Sequence, residues 1–377
     1  GGAGDDTITI TGTGNGTAFI AEFVNGNADD DTLTIANGAG DTINVSTVLG
    51  GQGDDTMIVG LTGAAQSLFV NGNKGADTIT SGGASTTLNG GQGNDTITVF
   101  AAGNASISGN NDNDSIVLVG NVGIDDATFF GGDGNDTISV VLRTAGTDDI
   151  FLQGNAGNDT LTGTAAGATG ATTLFGGAGT DNITSNIAGT STVAGGDGTD
   201  TISNQGTTVD LYTSATQGGA FAGATSTAAI QAGGFDTITG FNQATDAIGI
   251  AASAITGTGT TVDVIAAPGA NTWNMNTAGV AVSTGSVTGI TGASTYNDVL
   301  TAINAAYTTG VVGTAGDIGY IVIERTAGTS YDLFGIQLGS TRAAGAAAVL
   351  NNSDSISFVG NFAVSADLDA TNVQFFS

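Results

Sequence analysis

The sequence contains no histidine and no cysteine in 377 residues. A Ser-His-Asp triad, a Cys-His pair and an HExxH zinc site are therefore excluded. Disulfides are excluded too, but a large repeat structure does not need them, so the missing cysteine says nothing firm about compartment. Bases are nearly absent. Lys74, Arg143, Arg325 and Arg342 stand against 34 acids, and the net charge is −30. Such a chain repels nucleic acid and anionic membrane surfaces, which both need clustered Lys and Arg. It attracts cations. No apolar run reaches the roughly 18 residues of a membrane-spanning helix. Proline occurs once.

Glycine is abundant, with 65 residues, and hydrophobic residues make up 40% against 10% charged. That balance excludes a disordered acidic tail, and the lack of a Gly-X-Y period excludes collagen. The glycine is organised. The chain opens on GGAGDDTIT, Gly1 to Thr9, and the phrase returns as GGQGDDTMI at Gly50, GGQGNDTIT at Gly90, GGDGNDTIS at Gly131, GGAGTDNIT at Gly176 and GGDGTDTIS at Gly195. Aligned on the aspartate, copies start at Gly1, Gly26, Gly50, Gly72, Gly90, Gly109, Gly131, Gly154, Gly176 and Gly195. Their spacing runs from 18 (Gly72 to Gly90) to 25 (Gly1 to Gly26). Degenerate copies lie at Ala36 (ANGAGDTIN) and Gln231 (QAGGFDTIT). The chain starts inside a motif and reads as a piece or processed product of something longer.

Self-similarity at about 20 residues predicts a solenoid, and the phrase matches the G-G-x-G-x-D-x-U-x nonapeptide of calcium-binding β-helices. The glycines let the loop curl until its carbonyls converge. The position-six aspartate adds a hard carboxylate oxygen. Ca²⁺ takes six to eight oxygens at about 2.3–2.6 Å, so adjacent coils must share each ion. The candidate ligands are Asp6, Asp31, Asp55, Asp77, Asp95, Asp114, Asp136, Asp159, Asp181 and Asp200. A short strand follows, with its middle residue pointing inward: Ile8, Leu33, Met57, Ile79, Ile97, Ile116, Ile138, Leu161, Ile183 and Ile202. The copies at Gly26 and Gly109 lack the middle glycine; their extra acids either ligate or face solvent.

Over residues 1–203 the sequence resembles the RTX (repeats-in-toxin) family of secreted bacterial proteins. The resemblance implies an all-β, right-handed parallel β-solenoid holding multiple Ca²⁺ ions. Typical RTX coils carry two tandem nonapeptides. Here one nonapeptide alternates with a stretch lacking the aspartate, such as SGGASTTLN from Ser81. One edge should therefore carry a calcium column and the other variable loops, such as residues 163–171.

Residues 204–377 form the second expected domain, for capping, assembly and export. They hold 11 of the 34 acids. Phe235 to Ile250 resembles the segment that ends the β-roll of secreted RTX proteases, matching at Asp236, Ile238, Phe241, Asp246, Ile248 and Ile250. Tyr296 to Tyr307 has helical spacing at Tyr296, Val299, Leu300, Ile303 and Tyr307, with Ser294 as N-cap and Gly310 as C-cap. Strands follow at GYIVIER, SYDLFGIQL and SISFVGNF. This order resembles the C-terminal domains of type I secreted surface proteins, which carry an uncleaved export signal.

The expected function is a calcium-dependent structural protein of the cell surface, a surface-layer or extracellular-matrix subunit exported by a Gram-negative-type bacterium. The alternative is the calcium-dependent folding and type I export module of a larger toxin, enzyme or adhesin. An enzyme is not expected: a lyase or epimerase on the solenoid face needs bases and aromatic platforms, and the repeats offer only Lys74 and Arg143 as bases. Ice binding through outward Thr pairs ranks low, because strands favour Thr anyway. The expected partners are copies of the chain itself, with cell-surface polysaccharide as a second candidate. Nucleic acid and a membrane span are not expected.

Overall fold

A computed structural model describes residues 1–12, 14, 16, 18–37, 42–60, 68–82, 86–100, 104–120, 126–142, 149–165, 172–187, 190–204, 207–212, 236–239, 247–251, 261–265, 272–275, 278–283, 296–307, 310–326, 330–343, 350–351, 353–363 and 373–376. The chain divides into two compact units, Gly1–Ser191 and Thr192–Ser377. The sequence-based division at residue 203 marks a change of chemistry and stays a proposal.

The first unit is a parallel β-solenoid. Each repeat makes two strands, and each strand hydrogen-bonds to its equivalent in the next repeat. One sheet stacks Thr7–Thr11, Thr32–Ala36, Thr56–Gly60, Thr78–Ser81, Thr96–Val99, Ser115–Gly120, Thr137–Leu142, Thr160–Ala165 and Asn182–Ile187. The other stacks Ala18–Ala28, Thr42–Gln52, Leu68–Lys74, Thr86–Gln92, Ser106–Asn111, Ala127–Asp133, Ile150–Ala156 and Thr172–Gly179. The register keeps like residues together, as in Met57↔Ile79 and Ile79↔Ile97.

Alternation explains the core. Position eight faces inward, so Leu33, Met57, Ile79, Ile97, Ile116, Ile138, Leu161 and Ile183 are fully buried. Ile8, in the first coil, is half-buried. The second sheet answers with Val48, Val70, Leu88, Ile107, Phe129, Leu152 and Leu174, all buried. Thr and Ser flank these on the outward side, where β-branched side chains suit a pleated, half-exposed surface.

In the second unit the strands Thr201–Asn204 and Asp236–Thr239 pair in parallel, with Ile202 opposite Ile238. Thr207–Tyr212 pairs with Ala247–Ala251. Both ladders then take a strand from the C-terminal segment. Ser355–Ala363 adds beside Asp236–Thr239, and Val373–Phe376 adds beside Ala247–Ala251. The RTX-protease-like segment is thus a further coil, with Ile238 and Ile248 buried. Phe241 and Asp246 lie outside the described residues.

Ser330–Gln337 pairs antiparallel with both Ser355–Ala363 and Ile318–Thr326. The helix runs Tyr296–Ala306. Its Val299, Ala302, Ile303 and Ala306 join Tyr307, Trp273, Phe334, Ile336 and Leu338 in one buried cluster. Asn304 fastens it to Leu350, accepting from its N–H and donating to its carbonyl, both at 2.8 Å. Ser294 lies outside the described residues. Gly310 is not a helix cap: it opens the strand Gly310–Val312, opposite Thr272. Backbone pairing claims that residue instead.

Arg342 and Asp354 make a buried two-pronged ion pair at 2.7 and 2.8 Å. Asp354 also accepts from the N–H groups of Gly339 and Asn351. Removing one partner of such a pair leaves a bare buried charge. We expect Asp354→Ala to cost the second unit about 3–5 kcal/mol. Denaturant melts followed by the emission of Trp273, the one tryptophan, check this; an unchanged midpoint would show that the pair contributes nothing.

Candidate metal column

The nonapeptide places one carboxylate per coil at one edge of the solenoid. Asp31, Asp55, Asp77, Asp95, Asp114, Asp136, Asp159 and Asp181 are each 1–3% exposed. The backbone N–H of each aspartate donates to Oδ1 of the aspartate one coil further on: Asp6 to Asp31, Asp31 to Asp55, Asp55 to Asp77, and so on to Asp159 to Asp181, at 2.7–2.8 Å. The carboxylates therefore form a continuous column. Asp6, at the first coil, is only half-buried, and its Oδ2 accepts from Gly2 at 2.6 Å. Asp200 belongs to the second unit, where it is buried at 1% exposure beside Gly195.

The second oxygen is the informative one. Oδ2 of Asp31, Asp55, Asp77, Asp95, Asp114, Asp136 and Asp159 is buried and receives no hydrogen bond. A buried charged oxygen without a donor carries a large desolvation cost. The position-one glycine lies against it. A β-carbon at Gly50 would overlap Asp55 Oδ2 and stand 2.8 Å from the carbonyl oxygen of Gly72 in the next coil. The same overlap recurs at Gly26, Gly72, Gly131 and Gly154. At these levels a carboxylate oxygen and a carbonyl oxygen of the following coil face one space that glycine keeps open. Oxygen donors of this kind fit a hard divalent cation. Among the described residues no three acidic side chains meet at one point. The donors that accompany each carboxylate are backbone carbonyls.

Burial changes the acidity of the column. Loss of hydration raises Asp77 to about 7 and Asp114 to about 8, from 3.8. Asp55, Asp95 and Asp136 rise to about 6 for the same leading reason. The backbone hydrogen bonds pull the other way. Neighbouring carboxylates add repulsion, as Asp95 and Asp55 do at Asp77 and Asp95 and Asp136 at Asp114. Without a cation, Asp77 and Asp114 hold protons near neutral pH.

The turn geometry accounts for the irregular copies. Positions two and four take left-handed angles, for example φ 137° at Gly51 and 119° at Gly53. Asn occupies position two at Asn27, Asn73, Asn110 and Asn155, with φ 79–89°. Asn and Asp tolerate that region best after glycine. The extra acids of the two copies without a middle glycine sit at position four, Asp29 (φ 70°) and Asp112 (φ 74°). Each turns back, and Oδ2 accepts from Gly4 and Gly93 of the preceding coil at 2.7 and 3.0 Å.

Position five carries a second ladder that the sequence reading missed. Oδ1 of Asp5, Asp30 and Asp54 accepts from the N–H of the position-five residue in the next coil. Asn94, Asn113, Asn135 and Asn158 do the same, mostly at 2.6–2.9 Å. The available signal was an oxygen-bearing side chain at position five of most copies.

Of the sequence-predicted variable edge, Gly163 to Ala165 end a strand, and residues 166–171 lie outside the described residues.

A parallel β-solenoid with one buried carboxylate per turn and glycine-cleared oxygen cradles defines a calcium-binding repeat protein. The family model of the RTX calcium-binding nonapeptide repeat matches this chain in four copies, over residues 69–97, 121–139 and 145–166. The chain carries RTX repeats, and such repeats bind Ca²⁺ at multiple sites. Comparisons with curated proteins and with solved structures returned no match.

The position-one glycine gives a direct test. Gly72→Ala would press a methyl group onto Asp77 Oδ2. We expect calcium affinity to fall at least tenfold and the calcium-loaded melting temperature to drop by several degrees. Titration calorimetry and melting curves measure both. An unchanged affinity would mean that the cradle is not the ion site.

Proposed function

We propose that Asp6, Asp31, Asp55, Asp77, Asp95, Asp114, Asp136, Asp159, Asp181 and Asp200 hold Ca²⁺ ions, and that the chain is a calcium-dependent structural protein of the cell surface. The carrying observation is the stack of buried Oδ2 atoms with no protein donor. Each ion supplies the missing positive partner and joins two coils at once. The chain's own residues do the rest. The carboxylates and carbonyls bind, the glycines keep the cradle clear, and the apolar row orients each coil on its neighbour.

A surface-layer or matrix role fits a long stack of near-identical coils whose charge calcium neutralises. RTX repeats are typical of secreted extracellular proteins of Gram-negative bacteria, and millimolar external calcium suits sites of about 10⁻⁴–10⁻³ M. Copies of the chain are the expected partners. Electron microscopy of the calcium-loaded protein at rising concentration tests the role. Ordered sheets or filaments support it. Folded particles that stay monomeric at the highest concentration favour the reading as an export and folding module of a larger protein.

A further inference from the structure

We propose that the outward face of the second sheet around Phe151 binds a neutral hexopyranose unit of a polysaccharide. The inference stands whether or not the protein assembles into a lattice.

From Leu68 to Gly179 this face shows two rows of side chains in register. One row is Phe69, Thr87, Ser106, Thr128, Phe151 and Thr173. The other is Asn71, Asn89, Ser108, Phe130, Gln153 and Phe175. In a chain of net charge −30, neither row holds a charged residue. The rows offer hydroxyls, amides and aromatic rings, the side chains that suit a ligand with hydroxyls on its rim and C–H groups on its faces.

The rows converge on one built place. Phe151 is fixed by two neighbours: Phe175 stands edge-on at 5.5 Å and 89°, and Phe130 is tilted at 5.9 Å and 54°. Thr128 and Thr173 flank Phe151 on the adjoining strands. A groove of about 360 Å³ opens here, and Asp126 and Asp149 line it together with these three residues. That volume lies at the small end of the usual range for small-molecule sites, about 300–1,000 Å³. Both carboxylates are exposed at the strand starts, and Asp126 takes a left-handed φ of 48°.

The chemistry selects the ligand. A sugar ring lays its apolar C–H face on Phe151. Its hydroxyls donate to the carboxylates, which only accept, and exchange bonds with the Thr hydroxyls, which do both. Charge-assisted bonds of this kind are the stronger ones. Phosphates and uronates are repelled by the two acids. Lys74 is the one basic side chain among the described residues of this unit, and it sits at the end of its strand, in register with Gln52 and Gln92. A purely apolar partner would cover the carboxylates without answering them.

The test uses the calcium-loaded full chain and methyl glycosides of glucose, mannose, galactose and N-acetylglucosamine. Saturation-transfer NMR and calorimetry read the binding. The expected result is transfer to the ring C–H protons of at least one glycoside. Asp126→Asn and Asp149→Asn should weaken binding about tenfold each, and Phe151→Leu should abolish the transfer, all with an unchanged calcium-loaded circular dichroism spectrum. Transfer from none of the four overturns the proposal. So does binding that all three variants leave intact. Extra calcium bound at Asp126 and Asp149 without any sugar transfer also overturns it, and would mark a cation site instead.

Discussion

Removing calcium should abolish most of the strand signal of Gly1–Ser191. In the metal-free state the coils of Asp31, Asp55, Asp77, Asp95, Asp114, Asp136 and Asp159 each keep a buried carboxylate oxygen without a donor. At 10 mM calcium, sites of about 10⁻⁴–10⁻³ M each contribute about 1.4–2.7 kcal/mol by mass action. Several such sites together match or exceed the roughly 5–15 kcal/mol by which a domain is usually stable. Calcium is therefore expected to supply the larger part of this unit's stability. Because each coil supplies oxygens to its neighbour, refolding should be cooperative in calcium. Trp273 sits in the buried cluster of the second unit, around the helix, and reports on that unit separately. The expected result of exhaustive chelation is loss of far-ultraviolet strand signal while Trp273 emission keeps its blue position. A far-ultraviolet strand signal that chelation leaves undiminished would sink the folding claim.

Acidity should act in opposite directions on the two states. In the folded metal-free column, Asp77 and Asp114 titrate at about 7 and about 8, whereas the unfolded chain releases those protons near 3.8. The folded state binds more protons across that window. Metal-free stability is therefore greatest below about pH 4 and falls as pH rises through 6 to 8. Calcium needs the charged carboxylate, so its affinity rises over the same interval. Calcium-free protein at pH 5 should show more strand signal than at pH 8, and added calcium should have its largest effect at pH 8. Thermal melts at both values, with and without calcium, check this. A metal-free protein that grows more stable from pH 5 to pH 8 would contradict it.

Much of the solenoid was legible because its code is local. The row Leu33, Met57, Ile79, Ile97 and Ile116 is two residues past each aspartate, and strand alternation sends it inward without help from distant contacts. The column was legible for the same reason: one position in nine repeats at a steady offset. Two features were not. The role of Asn27, Asn73, Asn110 and Asn155 was hidden, because only the backbone shows that position two is left-handed. The position-five ladder was hidden because Asp5 and Asn94 differ in charge yet do one job, accepting an N–H from the next coil. In the second unit the strands were visible, but their partners were not. That Ser355–Ala363 pairs with both Asp236–Thr239 and Ser330–Gln337 depends on long-range packing around Phe334, Ile336 and Ile356. Gly310 was misread because glycine before a turn looks the same whether it ends a helix or starts a strand.

Position two has a consequence for how such a chain can lengthen or shorten. From the first coil the residues there run Gly2, Asn27, Gly51, Asn73, Gly91, Asn110, Gly132, Asn155 and Gly177. A β-carbon at Gly51, Gly91, Gly132 or Gly177 would overlap the carbonyl of the Asn one coil before it. On the backbone that these glycines take, φ 122–137°, only glycine fits after an Asn coil. Loss of a Gly coil, such as the one starting at Gly90, would set Asn110, at φ 82°, directly after Asn73, where this structure places a glycine at φ 129°. Loss of an Asn coil would not, and neither would loss or copying of two adjacent coils. Unequal exchange between neighbouring copies is thus filtered by which coils it joins: a deletion that sets one Asn coil directly after another is the disfavoured one.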